Sequence, residues 1–226
     1  MLTSALSLYL RWPLLFAGLA AVVVVPYELV VLAVAHASPL GQQNTSTGTV
    51  FVLGLVDVAL VGPFVSALLV QAVVTIGDGQ TPQIGDVIGR GLRVLPVVAA
   101  AEIIVGIGVA IGLALLIIPG VILALRWAVV AQAAAVERTD WPTALRRGAG
   151  LARGSYLRIL VLLIVVALVE LTLTGTGAAI VGTRDGVVQV VVGVVIVVLT
   201  RTFGALVTAM LYFDLRAREA EGTGQY

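Results

Sequence analysis

At 226 residues, 60% of them hydrophobic, with a mean hydropathy of +1.14 and only 11% charged residues, the chain carries about half the charge of an ordinary soluble domain. This argues against a water-soluble protein and for one membrane-embedded domain covering residues 1–226. The net charge of +1 balances thirteen arginines, with no lysine, against twelve acids. The arginines stand between apolar runs rather than on one polar face, which speaks against a nucleic-acid partner. With no cysteine there is no disulfide framework, thiol nucleophile or thiolate metal site, and the single His36 cannot build a histidine cluster. No cofactor and no metal are expected.

A helix that crosses the hydrocarbon needs about 20 mainly apolar residues. Six runs qualify: residues 13–37, 50–76, 94–118, 121–136, 159–181 and 187–213. A polar, uncharged stretch, 38–49, separates the first two. The tract 94–136 is too long for one crossing at about 1.5 Å per residue, so it turns back, and Pro119-Gly120 marks the turn. The valine-rich segment 187–199 lacks the strict alternation of a barrel strand. The expected fold is an all-α membrane protein with six transmembrane helices.

Short loops rich in arginine stay on the cytoplasmic side. Arg11 precedes the first span, Arg90 and Arg93 join the second to the third, Arg138, Arg146, Arg147, Arg153 and Arg158 join the fourth to the fifth, and Arg216 and Arg218 follow the sixth. The opposite loops hold only Arg184. Both termini are therefore expected inside a bacterial-type cytoplasmic membrane. Reporter fusions after Gly41 and Asp185 should read as outside, and fusions after Gly79, Asp140 and Tyr226 as inside; a cytoplasmic reading after Gly41 would contradict six spans. Ala35-His36-Ala37 resembles a cleavage site, but the apolar run before it is longer than the roughly 7–15 residues of a signal peptide and contains Glu28.

Two connectors read as interfacial helices. In the second, Asp140-Trp141-Pro142 is helix-start chemistry, and Trp141, Leu145, Gly148 and Leu151 recur at helical spacing. Arg146, Arg147 and Arg153 project elsewhere, either toward anionic lipid headgroups or simply into the interface of a topology-setting connector. The first begins at Thr81-Pro82, carries Ile84, Val87, Ile88 and Leu92 as an apolar stripe, and ends on Arg90 and Arg93. The pair allows a parallel internal repeat.

Six charges fall within the spans: Glu28, Asp57, Glu102, Arg126, Glu170 and Arg201. Each costs several kcal/mol facing lipid, so each is expected to face the bundle interior and find a partner. Matching depths pairs Arg126 with Asp57, or less well with Glu28, and pairs Arg201 with Glu170 across the tight turn 183–186. The charges either form a polar pathway or lock helix register. Four acids against two arginines leave carboxylates over. Gly108 and Gly112 have the small-xxx-small spacing of close helix packing, and Pro26 and Pro63 mark kinks. Catalytic chemistry is poorly served, with no cysteine or lysine and no phosphate-cradling motif.

Pro119-Gly120, Arg126-Trp127, Glu137 and Ala144-Leu145-Arg146-Arg147, followed by Gly154, resemble a group of bacterial membrane proteins. That group includes the membrane domain that accompanies some glycerophosphodiester phosphodiesterases. The ending Tyr212-Phe213-Asp214-Leu215-Arg216 is similar to the group's terminal signature, whereas Gly148-Ala149-Gly150 stands where the group usually has a serine. The resemblance implies a six-helix membrane domain without an assigned activity; the catalytic barrel is a separate soluble domain. Two functions follow as expectations. One is a non-enzymatic module organising lipids, or membrane or cytoplasmic protein partners, at the inner face. The other is a small-solute or lipid transporter or channel using the buried carboxylates. A water-accessible cavity lined by Asp57, Glu102 and Glu170 would favour the second; closed ion pairs and a flat basic face, the first.

Overall fold

The computed structural model describes residues 11–35, 46–181 and 186–223. His36, Arg184 and the turn 183–185 lie outside them. The described residues form α1 (Pro13–Ala35), α2 (Thr47–Val56), a π-helical turn (Asp57–Val61), α3 (Gly62–Gly77), α4 (Ile84–Leu115), α5 (Ile117–Trp127), α6 (Val130–Glu137), α7 (Trp141–Ala152), α8 (Tyr156–Val181) and α9 (Val187–Thr223). There is no strand among them. Among the described residues, six stretches are long and apolar enough to cross a membrane: Pro13–Val34, Phe51–Gly77, Ile84–Leu115, Ile117–Glu137, Tyr156–Ile180 and Val187–Glu221. The chain is an all-α, multi-pass membrane protein, because only helices satisfy their own backbone hydrogen bonds along an open segment in hydrocarbon.

The tract 94–136 does turn back, but at Leu116 rather than at Pro119-Gly120. Leu116 alone is extended (φ −160°, ψ 138°), and Pro119 falls in the first turn of α5, where its missing N–H costs nothing. The two arms then touch backbone to backbone. A Cβ on Gly112 would sit 2.8 Å from Gly120 Cα, and one on Gly108 would sit 2.5 Å from the Trp127 ring. The small-residue spacing at 108 and 112 thus has the packing role expected of it.

The two connectors differ. Trp141–Ala152 is a helix of its own, with Asp140 as its extended N-cap. Its Ala144, Gly148 and Leu151 are buried, and a Cβ on Gly148 would meet Val130 at 2.6 Å. Residues 84–93 instead run unbroken into the third span as one 32-residue helix containing Pro96. Gly91 holds this stretch against α3, at a point where a Cβ would overlap Leu68 at 2.6 Å. The first connector is therefore part of the bundle, and only the second supplies a separate amphipathic helix.

Three apolar clusters hold the bundle. Phe16, Leu19, Leu68, Leu69 and Leu206 join α1, α3 and α9. Leu151, Ile159, Leu211 and Tyr212 join α7, α8 and α9. Ala67, Val98, Ala134, Ala144 and Ala209 join α3, α4, α6, α7 and α9. Gln71, buried on α3, donates from Nε2 to the Ala135 carbonyl at 2.9 Å. Ala135 lies in the last turn of α6, where carbonyls have no intrahelical partner, so this bond both caps α6 and fixes it to α3.

Candidate functional site

The π-helical turn begins the site. Pro63 has no N–H to offer the preceding turn, and its ring crowds the carbonyl four residues back. The chain answers with one wider turn over Asp57–Val61, in which the Gly62 N–H bonds the Asp57 carbonyl. The π-helical turn falls just before Pro63, where the sequence predicts a kink. The turn sets the direction of Asp57, whose Oδ2 accepts from Arg201 Nη2 of α9 at 2.6 Å. The Tyr27 hydroxyl of α1 donates to the Leu53 carbonyl one turn earlier, at 2.9 Å.

Gly62 lets the charges approach the backbone. A Cβ there would lie 3.3 Å from Glu102 Oε2 and 4.0 Å from Arg201 Nη1, so the Glu102 carboxyl of α4 and the Arg201 guanidinium meet at one helix surface. Glu28, half-buried on α1, lies within electrostatic reach of Asp57 and Arg201.

These groups open onto a cavity of about 640 Å³, walled by the second to sixth spans. Asp57, Glu102, Glu170 and Arg201 line it, as do Ser66, Gln132, Thr200 and Thr208. Its apolar wall includes Val65, Val105, Trp127, Leu163 and Val166. The volume suits a small molecule.

Two of the expected ion pairs are corrected. Arg201 pairs with Asp57, not Glu170. Glu170 lines the same cavity from α8, exposed and without an ion-pair partner among the described residues. Arg126 pairs with neither Asp57 nor Glu28; it is exposed, with no ion pair among the described residues. Ala124, Trp127, Ala128 and Ala131 form the cavity-facing stripe of this span. At roughly 100° per residue, Arg126 falls on the opposite side of α5.

At the arginine-bearing end, the three arginines expected at headgroups part company. Arg147 donates from Nε to Glu137 Oε1 at 2.9 Å and from Nη1 to Glu219 Oε1 at 2.7 Å. The Tyr212 hydroxyl donates to the same Glu137 oxygen at 2.8 Å. The hydrogen bonds it donates, to Glu219 first and then to Glu137, hold the Arg147 guanidinium even above its ordinary pKa. Arg147 is thus a tie between α6, α7 and α9, and only Arg146 and Arg153 remain exposed outside ion pairs. Asp214 bridges Arg158 at 2.8 Å and Arg218 at 2.7 Å. A separate cleft of about 130 Å³ is lined by Arg90, Arg93 and Arg138 over Val94, Val97 and Ala134. Arg138 holds a left-handed backbone there (φ 49°), a conformation strained for a residue with a Cβ.

Gln132 and Thr208 were not singled out from the sequence. Each reads as one polar residue inside an apolar run, a signal as consistent with a helix cap or a loop flank. Compared with family models, curated proteins and solved structures, the chain matches none.

Proposed function

We propose that this protein is a non-enzymatic carrier or channel for a small solute, with the cavity between the second and sixth spans as its binding site. The observation that carries this reading is the convergence of Asp57, Glu102, Glu170 and Arg201 on one open cavity within the apolar bundle. Ionisable groups at membrane depth are costly, and they mark solute and ion paths when they line a space rather than closing on each other. Only Asp57 and Arg201 close on each other here. The membrane is taken to be a bacterial cytoplasmic membrane with both termini inside, on the strength of the arginine loops. The resemblance to the phosphodiesterase-associated membrane domains fits the six-helix architecture and brings no activity with it.

A second reading, contact with anionic lipid at the arginine-bearing face, is favoured by the cleft of Arg90, Arg93 and Arg138. Three guanidiniums above an apolar floor suit a phosphate headgroup. Protein partners at that face remain part of this reading.

One reconstitution tests both. Purified protein in proteoliposomes, with and without anionic lipid, is assayed for flux of a panel of small cations, anions and neutral solutes. Wild type is expected to move at least one solute class, and Glu102→Gln to lose most of that flux while melting within a few degrees of wild type. A wild type that moves nothing in either lipid removes the carrier reading. If the basic cleft holds headgroups, Arg90→Gln with Arg93→Gln lowers binding to anionic vesicles at low salt and much less at high salt.

A further inference from the structure

The cavity is unbalanced in both charge and hydrogen bonding. Among the described residues that line it, the one guanidinium, Arg201, is matched by Asp57 at 2.6 Å. Glu102 and Glu170 line the same space without an ion-pair partner among the described residues. Two carboxylates are therefore left over, next to apolar walls that cannot solvate them.

Ser66 donates to Glu102, and the threonine hydroxyls add no further donor. Thr208 donates to the Gly204 and Ala205 carbonyls of its own helix, and Thr200 to those of Ile196 and Val197. Because the Thr208 hydrogen is engaged, its oxygen can only accept from Gln132, which assigns Gln132 Nε2 as the donor in that 2.9 Å contact. Gln132 Oε1 is then an acceptor, and it has no partner although the residue is only 3% exposed. Leaving such a group unmet is costly, and cores rarely do so without a reason. The three groups share one deficiency: Gln132 Oε1 and Glu170 have no donor among the described residues, and Glu102 has only the Ser66 hydroxyl and no cation paired to it.

We propose that the cavity takes an organic cation bearing N–H donors, a primary ammonium or a guanidinium on an apolar body, held by Glu102 and Glu170 with Gln132 Oε1 receiving an N–H. This rests on the reading of the cavity as a solute site. The walls of Val105, Leu163, Val166 and Trp127 take the apolar body, and the indole adds an electron-rich surface that favours a cation over an anion. An anion would meet two unpaired carboxylates and an already paired guanidinium.

The test uses the full chain in nanodiscs and four probes that share a phenyl body: phenethylammonium, its N,N,N-trimethyl analogue, 2-phenylethanol and phenylacetate. Binding is read by calorimetry and by shift in melting temperature. Phenethylammonium is expected to bind best, and the trimethyl analogue, which keeps the charge but has no N–H, about 10-fold or more weaker. Phenylacetate is expected not to bind. Gln132→Leu, close in size, should erase the difference between the two cations while leaving the cation preference, and Glu102→Gln should weaken both cations. Equal or tighter binding of phenylethanol or phenylacetate, equal binding of the two cations, or no binding by any probe overturns the proposal. Flux of an anion or neutral solute alongside such a result would leave the carrier reading standing and remove only the cation. Cation binding with no flux of any solute would do the opposite.

Discussion

Arg201→Ala is expected to destabilise the protein by about 2–3 kcal/mol, read as a lowered melting temperature in detergent. Removing one member of a buried ion pair leaves the other charge uncompensated, at a typical cost of about 3–5 kcal/mol. Here the Arg201 and Asp57 side chains are 38% and 20% exposed, partly to the cavity, which places the effect below that range. Arg201→Leu combined with Asp57→Leu should recover most of the loss, because two apolar side chains leave no charge behind. Arg201→Leu combined with Glu170→Leu should not, since Asp57 would stay unpaired. Recovery with the Glu170 pairing, and not with the Asp57 pairing, would refute the observed geometry.

Gly120→Ala is expected to be similarly damaging, toward the upper end of the roughly 1–3 kcal/mol that overpacking costs. A Cβ at Gly120 would sit 2.5 Å from the backbone N of Leu113, so relief requires the α4–α5 hairpin to open rather than one side chain to rotate. Because Trp127 and Val109 of the same hairpin line the cavity, ligand binding should weaken along with stability. Gly150→Ala is the control: nothing lies within 4 Å of its Cβ position, and α7 should gain up to about 1 kcal/mol from the better helix former. Equal melting of the two variants would show that the hairpin tolerates separation.

The arginine-bearing end shows where sequence reading stops. Arg146 and Arg147 are adjacent and read alike, as free charges on an amphipathic helix. In the structure Arg146 stays exposed, while Arg147 finds Glu137 from ten residues back and Glu219 from seventy-two residues on. A rotation of about 100° between neighbours separates the two fates. That Glu137, Arg147 and Tyr212 meet in one network, with Asp214 bridging beside it, was not legible in the sequence.

By itself the sequence determined the all-helical class, the six crossings, their approximate limits and the loops that carry arginine. These follow from what hydrocarbon demands of any chain: about 20 apolar residues per helix and no unpaired backbone. It also indicated which residues sit at membrane depth, because depth follows from counting about 1.5 Å per residue along each helix. The tertiary structure alone decided which way those residues face. Glu170 and Arg201 were matched in depth, yet the π-helical turn before Pro63 brought Asp57 to Arg201. Arg126 had the right depth for Asp57 but lies away from the cavity-facing stripe of α5. The cavity itself arises from five spans meeting around residues that no local pattern connects. Rotation about a helix axis is set by packing against neighbours, and in a chain this uniformly apolar every face of a helix looks alike until those neighbours are in place.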